Sequence, residues 1–423
     1  MIARFGALAL ALVCLTADTT YAQEVVTDIR VQGNLLTSDD DMRKMTGVEI
    51  GAPFTPDLPE VVTRRLESTH KFERVQVLKR YASIEDASQI LLVVIVNEGP
   101  VKLELFNGNE EGGEPGVSRV VRRHGFGTLW FPLLDFEDGY GWSYGLQLAK
   151  ANVLGANSRV SFPLSWGGTR QAGAQIEKNF DGGPLTRVDA GAGIVERTNP
   201  FFEQDDARDR VWVRAERAIT PQLRVGGTAG WQHVDFANTS DRFTQAGADI
   251  TFDTRLDPML ARNAVYARAS VEHLDFQHAT AANRTELEGR GYLGLIGQNI
   301  LVVRALRQDS DVPLPPYLQP MLGGMASLRG FRAGSSIGDT LVAGTAEIRA
   351  PLSSPLSIGK FGVSAFVDIG TIYDKGRQLA DQHFERGIGG GVWFVVTALR
   401  LNLDIAHGIG GDTRVHFGTS VDF

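Results

Sequence analysis

The chain is expected to be mainly β: a 16-stranded antiparallel transmembrane β-barrel preceded by one small α+β domain of order β-α-α-β-β. Three observations carry that expectation. From residue 127 onward, apolar and polar residues alternate with period two through sixteen successive segments, as strands with one apolar and one polar face require. The connections between these segments are short at one end and long at the other. Finally, mean hydropathy is −0.09, and after residue 22 the longest purely apolar run is Ile90–Val96. That run falls far short of the ~20 residues of a spanning helix. A barrel passes the same test, because its alternating faces average out in a hydropathy window.

Composition narrows the function classes. The 423 residues carry 42 Lys+Arg against 50 Asp+Glu, a formal net charge of −8, with no long basic block. Nucleic acid is therefore not expected as a partner. Residues 1–22 read as a signal peptide: Arg4 supplies the positive start, Phe5–Thr16 the apolar stretch, and Thr20-Tyr21-Ala22 a small-x-small cleavage site. The single cysteine, Cys14, lies inside this segment, and Val13 before it is too large for a lipid-attachment site. The mature protein is thus expected to be exported and free of disulfides.

Residues 24–99 hold the small domain. Val25–Gly33 alternates and ends in a Gly-Asn turn, so it reads as a strand. Ser38 followed by Asp39, Asp40 and Asp41 reads as a helix cap with acids on the positive end of the dipole. A calcium loop would need a Gly at its sixth position and a Glu at its twelfth, and neither is present. Leu58–Thr69 has helical spacing after Pro56-Asp57, and Phe72–Tyr81 and Ile90–Val96 read as strands. The run IRVQGN, then G-x-P-F, then K-F-E-R-V-x-V, then V-x-V-N-E-G resembles a POTRA domain. Such domains are periplasmic modules of outer-membrane assembly and translocation proteins. The resemblance implies that an edge strand and its neighbouring helix receive client segments by strand addition, a use that any exposed sheet edge permits.

Residues 100–126 read as a linker, Gly/Glu-rich at Gly108–Gly116, and residues 127–423 as the barrel. Strands are expected to begin near 127, 142, 157, 169, 185, 208, 221, 242, 263, 284, 299, 340, 359, 384, 398 and 414. An even number suits a closed antiparallel barrel. Tight turns are expected at Asp181–Pro184, Ile219–Thr220, Gly297–Gln298 and Val396–Thr397. Long loops are expected at Thr198–Ala207, Asp235–Asp241, Gln277–Asn283, Gln308–Asp339 and Asp374–Gln382. With the first strand rising from a periplasmic domain, the short side faces the periplasm. The terminal strand alternates through Phe417 and Val421 to Phe423, similar to the C-terminal signal by which outer-membrane barrels are recognised.

The longest loop, Gln308–Asp339, contains Gly323-Gly324-Met325-Ala326-Ser327-Leu328-Arg329-Gly330-Phe331. A loop of that length is usually functional or disordered. Gly330 allows a tight tip, Phe331 can anchor it, and Arg329 can reach carboxylates on the inner wall. Alternation turns Glu347 and Asp368 inward, so a bidentate Arg clamp is expected. GGMASLRGF, AGTAEIRAPL, FVDIGTIYD, GIGGGVWF and LNLDIAHG, with FDTRLDP at mid-barrel (Asp253, Arg255, Asp257), together resemble the barrel of the BamA/TamA and bacterial surface antigen superfamily. In that family the Arg-Gly-Phe/Tyr tip docks on acidic residues of two following strands, which implies Arg329 on Glu347 and Asp368. One POTRA domain and no plug helix distinguish this chain from the five-POTRA housekeeping member and from the two-POTRA secretion pores.

No catalytic residue, metal site or cofactor is expected. Gly387–Gly391 lacks the Lys-Ser/Thr of a phosphate loop and reads as close strand packing. The eight His show no metal spacing, and no G-x-S-x-G occurs. The resemblance implies a non-enzymatic outer-membrane protein that inserts or translocates polypeptide clients. Its partners would be outer-membrane lipids, unfolded or extended polypeptides and a periplasmic or inner-membrane assembly factor. Two other readings stay open: a passive channel or surface-antigen scaffold, and a secretion pore dedicated to one exported partner.

Overall fold

The computed structural model describes residues 23–34, 37–69, 71–72, 74–82, 86, 88–97, 105–106, 123–124, 128–256, 261–296, 298–352, 360–396 and 399–421. The expected signal peptide, most of the 100–126 linker, Asp257 and Phe423 lie outside the described residues.

The first domain runs β1 (Val25–Gln32), α1 (Asp39–Thr46), α2 (Leu58–Glu67), β2 (Arg74–Tyr81) and β3 (Gln89–Asn97). Ser38 starts α1 by accepting the Asp41 N–H at 3.1 Å, and the three Asp residues occupy the first turn. Gly47 ends it at φ 63°, a left-handed cap. Pro59 sits in the first turn of α2, where its missing N–H costs nothing. The sheet order is β1-β3-β2, with β3 parallel to β1 and antiparallel to β2. The most apolar run of the chain is therefore a central strand. Leu92, Val94 and Val96 pack with Val26, Ile29, Met42, Val62 and Leu66 into one core. Beyond it, β4 (Leu105–Phe106) and β5 (Arg123–His124) pair in parallel.

The large sheet begins with β6 (Thr128–Glu137), β7 (Gly141–Ala151), β8 (Ser158–Gly167), β9 (Thr169–Asn179), β10 (Arg187–Asn199) and β11 (Gln204–Ala218). It continues through β12 (Leu223–Phe236), β13 (Thr239–Asp253), β14 (Ala264–Phe276), β15 (Ala282–Gly294) and β16 (Ile300–Ser310). The long loop then carries β17 (Met321–Leu322) and β18 (Ser336–Ile337), which pair only with each other. The sheet resumes with β19 (Thr340–Leu352), β20 (Lys360–Tyr373), β21 (Glu385–Val396), β22 (Leu399–Gly408) and β23 (Thr413–Val421). Sixteen strands form one sheet ordered from β6 to β23, with β16 paired directly to β19 across the loop. Each of the sixteen expected segments corresponds to one strand, and the sheet curls into a nearly closed antiparallel barrel.

Alternation sorts the faces. Ile194, Val211, Val265, Leu287, Val367 and Ile405 stand exposed on the outer wall, as a lipid-facing surface requires. The inner wall is a mesh of Arg–carboxylate pairs within strands and across one or two strands. Arg214 binds Asp249, Arg290 and Arg304 share Glu288 at 2.7 Å each, and Arg284 meets Glu272 at 2.5 Å. No helix among the described residues is long and apolar enough to cross a membrane.

Two expected loops are mostly strand. The β10–β11 ladder runs to Asn199↔Gln204 and the β12–β13 ladder to Phe236↔Thr239, so Thr198–Ala207 and Asp235–Asp241 shrink to tips. The polar residues there read as loop because they sit past the apolar band. What keeps them paired is tertiary: Val234, Phe236, Phe243, Leu274 and Phe276 form a second core with Leu314 and Tyr317 of the long loop.

Two features position the site. Among the described residues β6 and β23 share no backbone ladder, so the barrel has a seam. The two domains also touch: Lys360 Nζ, at the start of β20, lies 2.8 Å from Asp39 Oδ1 on α1.

Candidate functional site at the loop tip and the seam

The loop between β16 and β19 is secured at its outer part before it turns inward. Tyr317 donates its hydroxyl to Asp241 Oδ2 at 2.8 Å, and Arg208 donates to the Tyr317 carbonyl at 2.6 Å. Burial, with the Asp241 carboxylate beside it, pushes the Tyr317 phenol up. Asp339 accepts the Leu314 and Lys375 backbone N–H groups at 2.8 and 2.9 Å. Inside the loop, Ser327 Oγ accepts from Gly323 N at 2.9 Å and narrows the turn. Leu328 is fully buried beside Leu306, Leu322 and Leu341, with Phe331 packed against that cluster. Gly330, at φ 95°, makes a bend that a side chain would strain.

Arg329 is 7% exposed and every branch of its guanidinium is used. Nε and Nη2 donate to the two oxygens of Asp368 at 2.8 and 3.0 Å. Nη1 donates to Glu347 Oε2 and to Asp404 Oδ2, both at 3.0 Å. The Arg329 N–H adds a bond to Asp368 Oδ2 at 3.0 Å. The guanidinium carbon lies 3.3 Å from the centroid of the Phe366 ring, a cation–π contact. Alternation explains the convergence: Glu347 on β19, Phe366 and Asp368 on β20, and Asp404 on β22 occupy inward positions. Strand β21, which separates β20 from β22, contributes room instead of side chains. A Cβ on Gly387 would overlap the Arg329 carbonyl, one on Gly391 the Asp404 carboxylate, and one on Gly389 would sit 2.7 Å from Phe366 Cζ.

The tip also meets the seam. Gly330 N–H donates to His416 Nε2 on β23 at 2.9 Å. His416 Nδ1 lies 2.5 Å from Asp138 Oδ2, on the turn joining β6 to β7. Further along, Thr419 Oγ1 donates to Asp135 Oδ1 at 2.7 Å and accepts the Phe136 N–H at 2.9 Å. On the outer side, Phe417 meets Phe136 and Trp142 at ring centroids of 5.4 and 5.2 Å. Side chains, then, bridge the first and last strands.

The residues singled out from sequence divide accordingly. Arg329, Gly330, Glu347 and Asp368 come together, and Phe331 packs beside them. Asp253 and Arg255 lie elsewhere, at the end of β13: Arg255 forks onto Asp253 at 2.9 Å through Nε and Nη2 and stacks 4.3 Å over Tyr266. Asp257 and Phe423 fall outside the described residues, as does the side chain of Val421. Sequence reasoning missed Asp404, Phe366, His416, Asp138 and the use of the GIGGG run as a groove. Asp404 could have been found, since LNLDIAHG alternates and turns it inward. Asp138, on a turn, gives no periodic signal. Among the described residues no group of three or more His, Cys, Asp or Glu is arranged to hold a metal.

Comparison with known proteins bears on this architecture. No curated protein sequence matches the chain. Among solved structures, BamA from Haemophilus ducreyi lacking POTRA domains 1–3 superposes with a TM-score of 0.59 at 14% identity, covering 94% of this chain and 84% of that one. CdiB from Acinetobacter baumannii superposes at 0.51 and 13% identity, covering 95% and 74%. CdiB from Escherichia coli superposes at 0.52 and 12% identity, covering 96% and 92%. At such identities the likeness is one of fold. Residues 24–99 match the POTRA model described as a surface antigen variable number repeat, and residues 138–423 match the Omp85 superfamily domain. The chain belongs to the Omp85 superfamily, with a POTRA domain at residues 24–99 ahead of the barrel.

Proposed function

We propose that this chain is an outer-membrane protein that inserts or translocates polypeptide clients. In this reading residues 24–99 lie in the periplasm as the docking module, and residues 127–423 span the outer membrane in contact with its lipids. The observation that carries the reading is the clamped loop tip beside a seam that, among the described residues, has no backbone ladder. A strand edge without a ladder partner is a pairing template, and here it lies next to a loop tied to three inner-wall carboxylates.

The docking domain supports a specific edge. The outer edge of β1 is occupied, because Val26 N–H bonds to Ala52 at 2.9 Å and Gly51 N–H to Val26 at 2.8 Å. Among the described residues the outer edge of β2 has no backbone partner, so an extended client adds there. The client then reaches the seam, where the edge of β6 or β23 offers main-chain hydrogen bonds, while the Arg329 loop holds the inner wall in shape. No bond is made or broken in the client, and no metal or cofactor takes part.

The test compares outer-membrane and secreted proteomes of cells carrying the native chain, Arg329→Ala or Arg329→Lys, each checked for a folded barrel. A subset of outer-membrane or secreted proteins should fall severalfold in Arg329→Ala while the barrel itself persists. Unchanged proteomes with altered permeability to small solutes would instead favour a passive channel.

A further inference from the structure

His416 is almost fully buried on β23, where its two ring nitrogens serve different elements. Nε2 accepts the Gly330 N–H of the loop tip at 2.9 Å. A backbone amide only donates, so Nε2 carries no proton and the proton sits on Nδ1. Nδ1 then donates to Asp138 Oδ2 at 2.5 Å, on the turn after the first barrel strand. The same carboxylate oxygen accepts the Met325 N–H of the loop at 3.3 Å. The loop thus touches both sides of the seam through one imidazole and one carboxylate.

We propose that His416 and Asp138 form a latch coupling the loop tip to the seam, so that release of either loosens the other. Moving β23 away from the β6–β7 turn removes the carboxylate that holds the proton on Nδ1. The ring is then free to carry its proton on Nε2, where it would face the Gly330 N–H donor to donor. Withdrawing the tip, in turn, leaves the buried Nε2 and the half-buried Asp138 Oδ2 each short of a donor, which is costly above all for the imidazole. Thr419 also bridges the seam, but its partners are Asp135 and Phe136, not the loop. His416 and Asp138 are positioning residues here, and the coupling stands apart from the transport reading because its readouts involve no client.

Two reporters test it in lipid vesicles, in separate chains with Cys14→Ser. Oxidative cross-linking of Asp135→Cys to Thr419→Cys reports the seam; labelling of the buried Ser327→Cys by a water-soluble maleimide reports the tip. His416→Gln puts an amide oxygen near the Nε2 position and keeps the Gly330 acceptor, whereas His416→Asn keeps a donor near Asp138. Each variant is expected to move both reporters, with labelling about fivefold faster and cross-linking about fivefold slower, the effect of one lost hydrogen bond. Arg329→Lys, which loosens the tip from its far side, should slow cross-linking when His416 is present and add nothing in His416→Ala. The latch is overturned if His416→Asn moves only labelling and His416→Gln only cross-linking, or if Arg329→Lys acts equally in both backgrounds. Heat-modifiable gel mobility confirms a folded barrel, and should His416→Ala not fold, the Gln and Asn pair decides.

Discussion

Replacing Arg329 by Ala removes four side-chain hydrogen bonds to three carboxylates and the contact with Phe366. The cost follows from what is left behind. Glu347 keeps Arg349 at 2.6 Å and Asp368 keeps the Arg329 N–H at 3.0 Å, whereas Asp404 loses the donor that faces it at 3.0 Å. Removing one partner of a buried ion pair costs about 3–5 kcal/mol, and the bonds share one anchor, so their separate worths do not add. Arg329→Lys keeps the charge but not the fork and should cost roughly half as much. The assay is urea-dependent folding into vesicles, followed by tryptophan fluorescence and gel mobility. If uncompensated charge is the cause, Arg329→Met combined with Asp368→Asn and Asp404→Asn should recover at least half of the loss; Glu347 is left intact because Arg349 needs it. A loss below about 1 kcal/mol for Arg329→Ala, the range of exposed ion pairs, or no recovery on neutralisation would refute the reasoning.

Three further outcomes are expected. Gly387→Ala should unseat the tip, since its Cβ would overlap the Arg329 carbonyl, while Gly289→Ala, with nothing within 4 Å, should be neutral; limited proteolysis of the 311–339 loop distinguishes them. Tyr317→Phe should loosen the outer part of the loop by about 1.5–3 kcal/mol, the worth of one hydrogen bond to a charged group, read as faster amide exchange at Tyr317–Gln319. The contact between domains should respond to acid: burial raises the Asp39 carboxyl, but the Asn34 amide and the Lys360 ammonium more than offset this and hold it below the ordinary carboxylate range. A depressed folded value means that the contribution is complete above about pH 4 and is lost as pH falls through the folded value. A spin-label distance between the two domains should therefore broaden only in strong acid, and Lys360→Met should broaden it at neutral pH.

How much of this was legible in the sequence depended on the range over which each feature is encoded. Strand existence and facing come from a two-residue period, so Leu401, Leu403 and Ile405 against Asn402 and Asp404 could be sorted without any structure. Strand extent was less legible. Asp235–Asp241 looks like a loop by composition, and it pairs because Phe236 and Phe243 pack against Tyr317, which lies far along the chain. The GIGGG run showed a need for space but not its occupant, because the Arg329 carbonyl reaches it only once the loop has folded inward.

By itself the sequence determined the number of strands, their faces, the α+β domain ahead of them, and the inward positions of Glu347 and Asp368, since each is read along one segment; the docking of Arg329 on those two carboxylates came from the resemblance to a family. Only the tertiary structure decided which residues meet across the barrel. Asp404 completes the carboxylate set through the placement of β22 beside the glycine-lined β21. His416 and Asp138, separated by 278 positions, meet because a sheet of sixteen strands brings its first and last members side by side. Closure of that kind is set by the summed twist and stagger of every strand, a quantity that no single segment records.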